Sequence, residues 1–478
     1  MFLRNRVFVA VAFSSLLIFN IAIYPWMLDD SFISFRYAEN LIAGHGLVYN
    51  PGERVEGYTC FLWVILLSSG HFLHISTVLF GRILGIAFSA ATILLVFFSH
   101  RFLKSINPRI AAVAAVLLAT AGAFSPWAIS GMEVSLFSFL LLASLLYYLA
   151  HRNAFSFVNG MILALLLSGL SMTRPEGLLI TVIIVADLLL LHRTISALSV
   201  SIIFFAIFGA YFYWRWQYYG YLLPNTFYAK VGSHSQQILR GIKYTFSFLL
   251  ATSLLVVAAV VGVAKNTELR LMAAVLVMFT IYIVVVGGDI MPAFRFFAPL
   301  LPLLCILAAA GLQIRESLLL PGTACLIIFN LLIFRYHPQM LSYILSDTVA
   351  EDGKEVGLWL KQNASSASVI ATNTGGSVAY YSRLRTIDML GLNDVHIAHR
   401  KIAWLGIGPA GHEKGDGAYV LSRMPDYIQF GSSLGSRDPR FLSDQELSQL
   451  KGFYQNYELR YYSLPSGNQM LLYVKKGQ

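Results

Sequence analysis

Charge is what this chain has least of. Asp, Glu, Lys and Arg together make up 12% of its 478 residues, against 57% hydrophobic residues and a mean hydropathy of +0.67. A soluble globular domain carries about twice that share of charge, so the composition excludes that class and implies an integral membrane protein. Cysteine is also scarce: Cys60, Cys305 and Cys325 lie in or beside apolar segments, with neither the spacing nor the company of a metal site. There is no internal repeat and no low-complexity tract. The net charge of +10 comes from cations scattered along the loops rather than clustered. That pattern excludes a nucleic-acid partner and fits membrane topology.

Long apolar runs, by contrast, are plentiful. The first, Val7 to Leu28, follows the basic start "MFLRNR" and has no small-residue cleavage site before the acidic pair that ends it, so it reads as a retained span. Similar runs recur as far as residue 334, about eleven in all, each close to one bilayer thick. One more stretch, Tyr58 to Ser76, is apolar enough to be mistaken for a span. If it crossed, the basic loop "SHRFLKSINPR" would fall outside, against the positive-inside tendency. If it lies at the interface or dips in and returns, Arg101, Lys104, Arg109, Arg152, Arg193, Lys265, Arg270 and Arg315 share the inner face. The second arrangement is the expectation.

The predicted architecture is therefore a polytopic α-helical membrane protein of about 11 transmembrane helices with a C-terminal soluble α/β domain. Residues 1–335 form the membrane part, with an outer first loop at 29–81, and residues 336–478 form an extracytoplasmic domain. In that domain "GKEVGLWLKQNA" has helical spacing, while "SVIATN", "LRTIDML", "MPDYIQFG" and "NQMLLYVKK" read as strands.

The outer loops hold the chemistry. Asp29 and Asp30 follow the first span, where burial and mutual repulsion would set their proton affinities apart and let one act as a general base. The alternative is that Asp30 or Ser31 caps the next helix. That helix carries Phe32, Phe35, Ala38, Leu41 and Ile42 on one face, the pattern of a helix on a membrane surface. Arg36, Glu39 and Arg54 would then sit at headgroup depth, with Glu56 following in the same loop. Further outer-face candidates are Glu133, which could instead cap a helix, the pair Arg174 and Glu176 flanking a proline, Asn225, Tyr228 and Lys230 of "LPNTFYAK", and Asp289 and Arg295 of "GGDIMPAFRF". In the last domain Asn393, Asp394, His396 and His412 gather with other polar residues. Histidines at 396 and 399 have metal-ligand spacing but no evident third ligand, so a polar cleft for a hydroxyl-rich substrate suits the mixture better.

The first-loop string "DDSFISFRYAENLIAGHGLVYNPGERVEGYTCFLW", with "TRPEG", "LPNTFYAK", "GGDIMPAFRF" and "IDMLGLNDVHIAHR", resembles the terminal arabinofuranosyltransferase family and its bacterial relatives in the GT-C superfamily of polyprenyl-phosphate-dependent glycosyltransferases. The resemblance implies transfer of a sugar, with arabinofuranose one candidate, from a polyprenyl-phosphate donor to a cell-envelope glycan, lipid or protein on the outer face of a bacterial inner membrane. It implies Asp29 or Asp30 as catalytic base or acceptor-orienting group, and Arg36, Arg174, Lys230 or Arg295 as holders of the donor phosphate. No cofactor is required by this reading, and a divalent cation is left open. The rival classes are a lipid-linked sugar flippase, which would need polar groups through the membrane depth, and an O-antigen polymerase or ligase, which differs in its diphosphate-linked donor.

Overall fold

The computed structural model describes residues 2–232, 235–313 and 316–477, without the side chains of the basic start; Arg315 lies outside the described residues. The chain begins with helix α1 (Phe2–Ala22), which a short turn joins to helix α2 (Asp29–Ile42). Among the described residues five helices are long and apolar enough to cross a membrane: Thr77–Phe97, Val134–His151, Thr194–Tyr219, Thr267–Val286 and the helical run Leu319–Asn363. A sixth crossing arises if Ser235–Ala251 and Ser253–Lys265 count as one span, and six further apolar helices are shorter. The protein is thus a multi-pass helical membrane protein, and helices of full length do not by themselves reach the expected eleven.

Two departures from the sequence reading have local causes. The apolar run around residues 245 to 264 is not one straight helix but bends by 83° at Thr252. The Thr252 hydroxyl donates back to the carbonyl of Phe248, 2.8 Å away, a bond known to bend helices. The stretch from Tyr58 contains a helix at Phe61–Ser69 that tightens into a 3-10 turn at Gly70–Leu73. At 1.5 Å per residue this is too short to cross about 30 Å of hydrocarbon, in keeping with an interfacial or dipping segment.

The bundle core is built from helices that approach closely where glycine allows. A Cβ at Gly311 would strike the carbonyl of Ala258, and one at Gly262 that of Leu307, so these two glycines let the helices Ser253–Lys265 and Leu301–Leu312 meet backbone to backbone.

The C-terminal part carries a five-stranded mixed sheet: β1 (Val369–Thr372), β2 (Arg385–Asp388), β3 (Tyr427–Gln429), β4 (Tyr457–Ser463) and β5 (Gln469–Lys475), in the order β2-β1-β3-β5-β4. β1 runs parallel to both neighbours, with Ala371 opposite Ile387 and Ile428; β5 is antiparallel to β3 and β4. Two apolar clusters cover its faces, one around Phe430, Phe453 and Tyr473 and one around Val356, Leu360 and Leu472.

The sheet part is seated on the first loop. Phe32, Phe35 and Ala38 of α2 pack with Tyr380, Ala379 and Ala350, so this apolar face is covered by protein. The expectation of a helix lying on the membrane surface is corrected here: α2 is buried from Ser31 to Ala38, sandwiched between the bundle and helix Ser377–Ser382. Its amphipathic pattern is real, but periodicity records that a face is buried and not what buries it.

Candidate active site

The two adjacent aspartates have different surroundings. Asp29 accepts hydrogen bonds from the backbone N–H of Gly376 (3.0 Å) and Ser377 (2.7 Å) and from the Ser377 hydroxyl. It thereby caps helix Ser377–Ser382 from another part of the chain. Burial raises its carboxyl to about 7, against the opposing pull of those bonds and with a smaller push from Asp30. Gly376 permits the approach, since a Cβ there would collide with the Asp29 carbonyl. Asp30, half-buried, makes no hydrogen bond or ion pair among the described residues. Its charge is nonetheless felt at Arg295, at His412 and at Asp347. Neither aspartate caps α2: the N-cap is Leu28, without a side-chain bond, and the Ser31 hydroxyl donates instead to the carbonyl of Ser130 (2.6 Å).

The candidate cations of the outer loops divide into paired and unpaired. Arg174 is buried between two carboxylates, Glu133 (2.6 Å) and Glu176 (2.8 Å), and lies over the ring of Phe296. Arg295 is held by Asp289 at 2.6 and 3.1 Å. Lys230, half-buried at the end of helix Asn225–Lys230, has no hydrogen bond or ion pair among the described residues. It lies against Gly411, beside His412, whose imidazole burial holds below its usual range, with Asp30 pulling the other way and Lys230 adding to the depression. At neutral pH His412 is therefore a neutral donor or acceptor. Arg240 and Glu413, 3.6 Å apart, brace this loop: Arg240 donates to Gly287, and Glu413 accepts from the N–H of Gly406 and Gly408.

Most of the other residues singled out from the sequence have their polar groups engaged in the fold. The guanidinium of Arg36 is spent on the carbonyls of Tyr49, Ala379 and Leu384 and on Asn50, latching the first loop to the sheet part. Glu56 forms a buried bidentate pair with Arg215, at 2.9 Å to both carboxylate oxygens. Arg54 is exposed and stacks over Tyr218. Asn225 donates to the carbonyls of Gly391 and Leu392, and Tyr228 stacks on His399. Asn393 donates to Asp388, Asp394 caps helix Val395–His399, and His396 pairs with Asp416 at the surface. His396 and His399 share no ligand set, and among the described residues no group of three or more His, Cys, Asp or Glu is placed to hold a metal. Residues the sequence did not single out are Arg215, Arg240, Gly376 and Ser377. Only Arg215 offered a signal, as a lone charge in the aromatic run "YWRWQYY".

The likeness to solved structures follows this geometry. ArnT from Cupriavidus metallidurans, in its crystal structure bound to undecaprenyl phosphate, superposes with a TM-score of 0.64 over 98% of both chains at 11% identity. The oligosaccharyltransferase of Archaeoglobus fulgidus superposes with a TM-score of 0.56, covering 98% of this chain and 74% of that one, also at 11% identity. The fold is that of the GT-C glycosyltransferases. Within it, the chain is 49% identical over 45 residues to the terminal beta-(1->2)-arabinofuranosyltransferase of Mycobacterium tuberculosis and 53% identical over 38 residues to that of Corynebacterium glutamicum. These matches span 9% and 8% of this chain and only 7% and 6% of the relatives' own length. Residues 342–473 match a family described as a domain of unknown function, DUF8728, and this stretch includes nearly all of the sheet.

Proposed function

We propose that this protein is an integral membrane glycosyltransferase that moves a sugar, with arabinofuranose as the candidate its curated relatives suggest, from a polyprenyl-phosphate donor to a cell-envelope glycan, lipid or protein. The supporting observation is a carboxylate, Asp30, at the start of α2 and a cation, Lys230, each without a hydrogen bond or ion pair among the described residues and each acting on the imidazole of His412; in this reading the three line one substrate cleft. In the reaction an acceptor hydroxyl attacks the anomeric carbon, the bond from that carbon to the phosphate oxygen breaks, and the polyprenyl phosphate departs. Asp30 takes the hydroxyl proton. The phosphate gains negative charge as it leaves, and Lys230 meets that charge without first having to release another carboxylate. His412 supplies a hydrogen bond to the acceptor or the leaving oxygen. Asp29 does not touch substrate in this scheme; it positions Asp30 by fixing the start of α2 to Ser377.

In this reading the domains keep the division foreseen, a membrane part to about residue 335 and a sheet domain beyond it on the extracytoplasmic face. The test uses purified protein in nanodiscs with three donors: polyprenyl-phosphate pentose, polyprenyl-phosphate hexose, and a diphosphate-linked glycan. Sugar transfer from the phosphate-linked pentose, followed by mass spectrometry of the product, is the expected result. Use of the diphosphate donor alone would replace it with a polymerase or ligase, and donor movement across the bilayer without transfer would indicate a flippase. The orientation is tested with Ser466→Cys, an exposed site, against native cysteines of which Cys60 and Cys305 are buried. An impermeant thiol reagent should label it in cells with a permeabilised outer membrane, and protection until the inner membrane is lysed would reverse the topology.

A further inference from the structure

A second basic pocket lies away from the cleft, where the sheet part overhangs the bundle. It encloses about 370 Å³ between the end of α1, the start of helix Thr77–Phe97 and helix Val349–Asn363, and is lined by Tyr24, Ser76, Arg82, Lys354, Tyr380 and Tyr381 among others. Arg82 stacks its guanidinium over the ring of Tyr24, 4.3 Å from the centroid, but makes no hydrogen bond or ion pair among the described residues, and its buried Nε lacks a partner. Lys354 is likewise without an ion pair among the described residues. No carboxylate lines the pocket. The Tyr380 hydroxyl is already taken by Glu39, but two cations without ion pairs among the described residues and the phenols of Tyr24 and Tyr381, in a concave lining without a carboxylate, make an anion receptor, since a buried N–H donor left unpaired is costly and a phosphate oxygen would satisfy it.

What lies beneath the pocket decides the kind of anion. Leu17, Ile18 and Ile21 of α1, and Leu79, Ile83 and Ile86 of helix Thr77–Phe97, are exposed apolar side chains running from it along two helices, the second of them long enough to cross a membrane. A ligand with its phosphate at Arg82 and its chains along these residues is a membrane lipid. We propose that this pocket binds the phosphodiester headgroup of an anionic phospholipid in the leaflet on the side of the sheet part, tying helix Val349–Asn363 to the membrane surface. The site does not depend on glycosyl transfer by the cleft.

The test is native mass spectrometry of the full chain released from nanodiscs. With phosphatidylglycerol present, the wild type should keep one tightly held lipid that it does not keep with phosphatidylcholine alone. Arg82→Gln with Lys354→Gln should weaken that retention about tenfold, the loss expected for charge-assisted hydrogen bonds. Melting in pure phosphatidylcholine verifies that the double variant folds, and Lys354→Gln alone serves if it does not. Retention equal to wild type in a folded variant would overturn the proposal. So would an equal rise in melting temperature produced by inorganic phosphate in phosphatidylcholine nanodiscs, because the site would then be a receptor for free phosphate.

Discussion

The two walls of the proposed cleft carry cations in opposite electrical states. On the bundle wall, Arg174 and Arg295 are buried and matched by Glu133, Glu176 and Asp289, so that wall presents three carboxylates to two guanidiniums. On the wall assigned to helix Asn225–Lys230 and the 411–416 loop, Lys230 is unpaired among the described residues and His412 is held neutral. A buried ion pair is a rigid strut whose Coulomb energy is already committed, whereas an unpaired cation still has its field to give. By this comparison we propose that the bundle wall shapes the site and that the opposite wall receives the phosphate. Arg174, named from the sequence as a phosphate holder, belongs to the first group.

The largest expected effect comes from breaking a strut. Arg174→Ala leaves Glu133 and Glu176 buried without a counter-charge and should cost about 3–5 kcal/mol of stability, read by thermal unfolding in detergent. A variant that melts like wild type but loses donor binding would put Arg174 on the receiving wall and dissolve the distinction. Next, Asp30→Asn should insert and fold normally yet lose roughly 100-fold or more in turnover with both substrates saturating, while Asp29→Asn should lose less. The reverse order would make Asp29 the base. Lys230→Ala should raise the donor KM about tenfold, the worth of a charge-assisted contact, with little change in melting; an unaltered donor KM would leave the receiving wall without its cation.

The remaining effect concerns pH. The Asp29 carboxyl rises from 3.8 to about 7 on folding, so the folded state holds a proton that the unfolded chain has released. Its contribution is complete below the unfolded value and is lost as pH rises towards 7. The wild type should therefore lose melting temperature over that interval relative to Asp29→Asn. Parallel curves for the two proteins would mean that Asp29 titrates alike in both states.

How much of this was legible in the sequence depended on distance along the chain. Strands β1, β2, β3 and β5 were readable as apolar runs, but β4 was not, because "YELRYYS" is an edge strand with one buried residue at its start and no clean alternation. The Arg174–Glu176 contact is visible in "TRPEG", whereas Glu133 comes from 41 residues away and nothing local announces it. The acidic pair stood out in the sequence as a candidate site, but the different surroundings of its two members did not. What separates Asp29 from Asp30 is the N-terminus of a helix 347 positions later, and no pattern around residue 29 encodes that meeting.

That same contact fixes when the site can exist during biosynthesis. Helix α1 emerges from the ribosome before the rest of the bundle, whereas Gly376 and Ser377 follow after most of the membrane helices have been made. Loop closure over so many residues is slow compared with local helix formation. The first loop must therefore wait, with Asp29 unligated, until the sheet has folded across the membrane surface and delivered its helix end. An inserted but unfinished chain would thus have the bundle in place while α2 remained unanchored, so completion of the C-terminal part acts as a maturation step for a site whose carboxylates were synthesised hundreds of residues earlier.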